Sequence, residues 1–535
     1  MSLQPESFNL VGGIAQWIVA FGTFGGAFLF VALITAWAVY GPRAGTTKVM
    51  RGTIRGLNQF FTPSPRRVLA IASLTWKESV RRKALLVFVV FAVLFMFASW
   101  FMADTSARED LQVRNYVAFV FIAINMLVLP VMLLLSCWGL PEDIRLRSLH
   151  TVVTKPVRRS EVVMGRMLGF AGIGTLVLGI MSVVGYVWIQ RQVPKDVELF
   201  CRVPVYGQLS FLDRTGAAAE KGVNVGDIVE TRSFIEGGTK SAGIWKFPLS
   251  EEVDTLKLES RFEAFRTWKG DMGETLRVRF TLVNSEKDLR VPLKAFNVEE
   301  FGNNENDIDR KVTWTDEATL EERTVDIYDD LLQSSADGGP GFLEVHVQCL
   351  DRGQYLGASR GDFFVRLPNR SFATGYFKAI TGVWLKMVVV IMIGVTASCF
   401  VKWPVATLLC FTVMVIGQLA RGILDDILSG GQDGGGPLES IYRILQHMNP
   451  TTPLPDGIGF KIIQEIDNVL TGGLHIVKYI IPDLTTFSMS EWVAKGFDVP
   501  WSGVLLPSLA VTAAYTLPCL LLGYFSLSLR ELESK

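Results

Sequence analysis

Seven apolar runs, at positions 19–40, 84–102, 116–138, 168–190, 380–401, 405–420 and 504–527, set the terms for this chain of 535 residues. A helix needs about 20 mostly apolar residues to cross the hydrocarbon of a bilayer. Within it, every backbone N–H and C=O must be paired inside the segment. Runs of this length restrict the chain to a polytopic α-helical membrane protein. Composition agrees, with 49% hydrophobic and 19% charged residues, against roughly a quarter charged in soluble domains. The run at 405–420 is short, but Pro404 suits the first turn of a helix. Lys402-Trp403-Pro404 then reads as a tight hairpin, with a single re-entrant unit as the alternative.

Loop charge orients the runs. The segment after the first carries Arg43, Lys48, Arg51, Arg55, Arg66, Arg67, Lys77, Arg81, Arg82 and Lys83 against a single acid, Glu78, and basic loops stay in the cytoplasm. Alternation places the N-terminus outside and the loop 141–166 inside. The polar stretch 191–372 and the acid-leaning stretch 421–500 fall outside, and the tail 530–535 inside. The first ten residues hold no cation, so the first run reads as a permanent anchor rather than a secretory leader. Basic and acidic residues balance at 52 each, which gives no reason to expect nucleic acid.

The insert 191–372 is long enough for one ordinary domain of about 180 residues. Apolar residues alternate at period two in Val197/Leu199/Cys201/Val203/Val205, Leu276/Val278/Phe280/Leu282, Leu343/Val345/Val347/Cys349 and Phe363/Val365/Leu367. That period marks strands with one buried face, and an antiparallel sandwich is the expected class. Cys201 and Cys349 fall near its two ends. Outside the cytoplasm they could form a disulfide or remain two core thiols. Such a sandwich could bind a substrate, bind a partner or cap an exit.

Chemistry-bearing motifs are missing from the sequence. No Gly-x-x-x-x-Gly-Lys-[Ser/Thr] occurs, so the chain has no phosphate cradle of its own. The four histidines and six cysteines show no metal-ligand spacing. Gly22-x-x-x-Gly26 and Gly165-x-x-x-Gly169 have the spacing for close helix approach, within the chain or between copies. Lys386, inside the fifth run, would be costly in lipid. It lines a pathway or snorkels to the outer surface. Residues 68–83 read as an interfacial helix with Val68, Ile71, Ala72 and Thr75 along one side.

Taken in order, these segments resemble the membrane subunits, or permeases, of type-2 ABC exporters. Trp76-Lys77-Glu78-Ser79-Val80-Arg81-Arg82-Lys83 is similar to the family's elbow helix. Glu142 to Leu149, with Lys155-Pro156-Val157-Arg158-Arg159 and Gly165-Arg166, is similar to its ATPase-docking loop. Ile481-Pro482-Asp483-Leu484 with Phe487 resembles the approach to the final span, and Phe525 to Glu533 its polar exit. Arg147 stands where such loops often have glycine, and Arg166 where they often have lysine.

The resemblance implies a six-span core preceded by one extra N-terminal span, with the β-rich insert foreign to that core. It implies a second permease copy or homologue and cytoplasmic ABC ATPase subunits that carry ATP and magnesium, with no cofactor in this chain. Glu142, Arg145, Arg147, Pro156, Arg158 and Arg159 would form the ATPase-coupling surface, and Trp76, Glu78, Arg81 and Arg82 would belong to the elbow. Arginines there suit acidic grooves on a partner; the plainer role is anchoring to anionic lipid.

Outside, 429–437 reads as a flexible spacer. A helix carrying Ile462, Ile463, Ile466, Val469 and Leu470 follows, lying at the outer surface or packed under the insert. Two other classes compete with a permease: a membrane-anchored receptor or scaffold, and an ion-coupled carrier. The carrier lacks the paired buried acids and matching half-repeats expected of it. No residue identifies the substrate.

Overall fold

The computed structural model describes residues 8–533 except 82–85, 87–88, 92, 96–108, 146–156, 194–197, 220, 224–232, 250, 267–274, 299–301, 316–321, 335–340, 421, 423, 425–427, 429–435 and 450–457. The chain divides into two compact units. One is built from Leu199–Phe372 with Gly496–Asp498, the other from the segments around them.

The second unit is helical: α1 (Leu10–Tyr40), α2 (Pro42–Phe61), α3 (Pro65–Arg81), α4 (Glu109–Arg145), α5 (Arg159–Gln192), α6 (Phe372–Phe400), α7 (Trp403–Val415), α8 (Pro437–Leu445), α9 (Ile458–Ile480) and α10 (Leu506–Glu533). Five helical stretches are long and apolar enough to cross a membrane: Leu10–Tyr40, Gln112–Gly139, Arg159–Gln192, Phe372–Phe400 and Trp501–Leu527, with Trp403–Leu419 a shorter apolar helix. The chain is therefore an integral membrane protein. The run at 84–102 falls largely outside the described residues, although the described positions between 86 and 95 are helical.

Polar ties link the apolar helices. Trp384 Nε1 donates to Thr175 Oγ1 at 2.8 Å, Tyr376 Oη to the Ser182 carbonyl at 2.9 Å, and Thr396 Oγ1 to the Cys519 carbonyl at 3.0 Å. Such bonds between membrane helices contribute about 0.6–2 kcal/mol each. Lys386 is only 8% exposed and donates to Gln418 Oε1, on the π turn Ile416–Ala420 that ends α7. The ammonium does not snorkel outward; a neighbouring helix supplies its acceptor.

Helix α9 departs from a purely surface position. The carbonyl of Ile480, its last residue, accepts from Tyr515 Oη at 3.1 Å, and Tyr515 lies midway along the span Trp501–Leu527. The chain then turns through Pro482, and the Leu484 N–H donates to the Gly417 carbonyl at 3.0 Å. The helix that carries the apolar stripe thus ends beside the middle of a membrane helix, while Ile462, Ile466, Val469 and Leu470 of the stripe are exposed.

The first unit is antiparallel β. One sheet runs in the order Phe200–Tyr206, Phe363–Ser371, Thr255–Ser260, Asn304–Asp309. A seven-stranded sheet runs Phe296–Val298, Leu276–Asn284, Phe342–Cys349, Ala242–Pro248, Gln208–Leu212, Ala218–Ala219, with Leu289–Pro292 paired beside Leu276–Asn284. Side chains from both sheets share one core. Phe363 sits at its centre, with ring centroids 5.3 Å from Trp245, 5.1 Å from Phe247 and 4.7 Å from Phe280. Aromatic pairs of this geometry contribute about 0.5–1.5 kcal/mol beyond their burial.

Period-two alternation holds from Leu276 to Leu282, where Leu276, Val278, Phe280 and Leu282 are all buried, and ends at Val283 and Asn284, which are buried too. It fails along Phe200–Tyr206, where a bulge between Cys201 and Val203 shifts the register and leaves only Cys201 fully buried. Sequence did not place Gly496–Asp498 in this unit. The Arg202 N–H donates to the Gly496 carbonyl, the Asp498 N–H donates back to the Arg202 carbonyl, each at 2.8 Å, and Arg370 pairs with Asp498 at 3.0 Å.

The disulfide option does not hold. Cys201 and Cys349 are free, buried thiols on different sheets, because the first strand pairs with Phe363–Ser371 and not with the strand that bears Cys349. Burial pushes the Cys349 thiol up to about 11. Native protein treated with iodoacetamide near neutral pH is expected to leave both unmodified, and denatured, unreduced protein to label both. Mass spectrometry showing a bridged peptide would overturn this assignment.

Candidate functional site

The expected elbow is helix α3, and it lies along the first half of α5. Three glycines of α5 allow the contact. A β-carbon on Gly165 would stand 2.6 Å from Ile71 Cβ. One on Gly169 would stand 2.5 Å from Thr75 Cβ and 2.8 Å from the Ala72 carbonyl oxygen, and one on Gly172 would stand 3.1 Å from the Trp76 ring. Gly165-x-x-x-Gly169 therefore serves packing within the chain. Gly22 and Gly26 share its spacing, yet a β-carbon on either would meet nothing within 4 Å.

Two ion pairs fasten the same contact. Arg166, buried on α5, pairs with Glu78 of α3 at 2.5 Å. At the other end sits Glu161, in the first turn of α5 and fully buried. Its carboxylate accepts from the Ser64 N–H at 2.9 Å, from the Arg158 N–H at 3.0 Å and from Arg67 Nη2 at 2.9 Å. One side chain thus satisfies orphan donors at the starts of α3 and α5 together and places its charge at the positive end of both helix dipoles.

Of the proposed coupling residues, the structure brings Arg158 into this junction. Arg158 is the N-cap of α5, and its Nη1 donates to the Thr62 carbonyl at 2.5 Å and to Thr62 Oγ1. Arg159 is half-buried at the first position of α5. Glu142 and Arg145 form the last turn of α4, so the loop is shorter than 141–166 at both ends. The backbone continues helically through Pro141 on one side, and the Glu161 cap starts the next helix at Arg159 on the other. Arg147 and Pro156 lie outside the described residues, as does Arg82. Trp76 and Glu78 face α5 as described, and Arg81 is exposed in the last turn of α3.

Sequence reasoning passed over Glu161, Arg67, Ser64 and Thr62. Glutamate three residues after an N-cap is half of a capping box, but the cap here is arginine, and the usual Ser or Thr signal is missing. Among the described residues no group of His, Cys, Asp or Glu could hold a metal ion. Apolar side chains line a cleft of about 380 Å³ between α4 and α7, bounded by Pro130, Leu134, Pro404, Leu408 and Phe411. The chain matches no protein-family model, no curated protein and no solved structure.

Proposed function

We propose that this chain is the permease subunit of an ATP-driven type-2 ABC exporter in the cytoplasmic membrane, with seven spans, its N-terminus outside and its C-terminus in the cytoplasm. In this reading the β-rich unit is exterior, and two permeases, this chain twice or with a homologue, assemble with separate cytoplasmic ATPase subunits that bind ATP and magnesium. The chain is not itself an enzyme. The observation that carries the reading is the α3–α5 junction. An amphipathic basic helix lies against the start of a membrane span through three glycines and a buried carboxylate, directly after the segment 146–158.

A partner that pushes on 146–158 would move α3 and α5 as one body, because Glu161 and Arg166 join them. Arg145, Arg147 and Arg159 offer cations to an acidic groove; such charges set partner choice and association rate more than affinity. Arg158 orders the junction through Thr62. The test is affinity purification from native membranes, comparing wild type with an Arg145→Glu, Arg147→Glu, Arg159→Glu variant. Wild type is expected to retain a cassette ATPase and the variant to lose it, with normal membrane insertion. Recovery of no ATPase with wild type, or equal recovery with both, would sink the proposal.

A further inference from the structure

Helix α2 has no role in the transport reading, and the following inference does not rest on that reading. Its sequence from Pro42 to Phe61 carries Arg43, Lys48, Arg51 and Arg55 and no acid. Arg43, Lys48 and Arg51 are exposed. Met50 and Ile54, four residues apart, are 63% and 61% exposed; at 3.6 residues per turn they flank the line of Arg43, with Lys48 and Arg51 to one side of it. A helix whose uncovered apolar residues border exposed cations, with no acid in its sequence, suits a lipid–water boundary better than open solvent.

Its position is fixed by the ends of two spans. Gly41, at φ 78°, turns the chain sharply after α1. A β-carbon on Gly45 would stand 2.8 Å from the Ala36 carbonyl, which shows how closely α2 folds back on α1. Trp37 Nε1 donates to Thr46 Oγ1 at 2.9 Å, and Lys48 Nζ sits 3.6 Å above the Tyr40 ring. Trp and Tyr at a span's end mark the headgroup level. Further along, a β-carbon on Gly56 would stand 3.1 Å from Phe525, near the end of α10. Alpha-2 is thus held at the height where two membrane helices end.

We propose that α2 is a docking surface for anionic phospholipid, lying in the headgroup layer with Met50 and Ile54 among acyl chains and Arg43, Lys48 and Arg51 on lipid phosphates. Charge complementarity and continuity with the ends of two spans select lipid over a protein partner. Cations next to an anionic surface each add attraction that salt screens.

The test uses the full-length protein in nanodiscs of phosphatidylcholine with or without phosphatidylglycerol, spin-labelled at Ile54→Cys; the six native cysteines are buried. With phosphatidylglycerol the label is expected to be open to oxygen and closed to a water-soluble nickel chelate. Without it, or with Arg43→Gln, Lys48→Gln and Arg51→Gln, nickel access is expected to rise about threefold or more. If that variant does not fold, raising salt on the wild-type lipid-bound sample is expected to give the same rise. Equal nickel access in both lipids would refute the proposal, and shielding from both probes would replace lipid with a protein partner.

Discussion

Replacing Gly169 by alanine is expected to destabilise the protein by about 1–3 kcal/mol or more, as overpacking against an unyielding backbone does. The new methyl would stand 2.8 Å from the Ala72 carbonyl oxygen and 2.5 Å from Thr75 Cβ. Neither neighbour is the far end of a flexible side chain, so α3 must move away from α5 as a unit. The matched control is Gly22→Ala on α1, where the methyl would meet nothing within 4 Å. There alanine is expected to be neutral or to stabilise by about 0.5–1 kcal/mol, because glycine is a poor helix former. Thermal unfolding of the purified variants, followed by tryptophan fluorescence, compares the two. Equal midpoints would show that the α3–α5 contact is loose.

Removing the Glu161 carboxylate is expected to release the starts of both helices. Glu161→Ala leaves the Ser64 and Arg158 N–H groups without their acceptor and Arg67 without its partner. Unpaired donors cost about 1–3 kcal/mol each when buried. Part of that cost is offset here, because Arg67 reaches solvent. A local loss of about 2–4 kcal/mol is expected, seen as amide exchange in α3 faster by about 30-fold or more. Glu161→Gln keeps the shape and one acceptor oxygen and should fall between the two. Unchanged protection of α3 in Glu161→Ala would remove this carboxylate from the junction.

Much of the fold was legible in advance, for reasons visible in particular segments. Runs such as 380–401 announce membrane helices because length and hydropathy are properties of the segment alone. Strands such as Leu276–Asn284 are legible because alternation repeats from Leu276 to Leu282, with that face buried. Phe200–Tyr206 was harder, since a bulge moves side chains off their expected face, and bulges leave no fixed residue signature. The Cys201–Cys349 option arose from nearness to the two ends of the domain. Strand pairing overruled it, because which strands become neighbours is a non-local choice.

The candidate site was half legible. Trp76, Glu78 and Gly165-x-x-x-Gly169 carry local signals, a tryptophan beside cations and a small-residue repeat. Glu161 does not: beside Arg158, Arg159 and Ser160 it reads as one acid in a basic stretch. Its role depends on Ser64 and Arg67, which lie roughly a hundred positions earlier and meet it only once α3 has packed on α5.

By itself the sequence determined that the chain enters a membrane, where its helices lie, and that a β-rich insert interrupts them, because hydropathy and period act within a few turns or strands. Only the tertiary structure decided which of two identical glycine motifs packs, that Glu161 is buried, and that Gly496–Asp498 joins the β unit. Those outcomes are set by close contacts between distant residues, where a single methyl or one unpaired N–H changes the sign of the interaction.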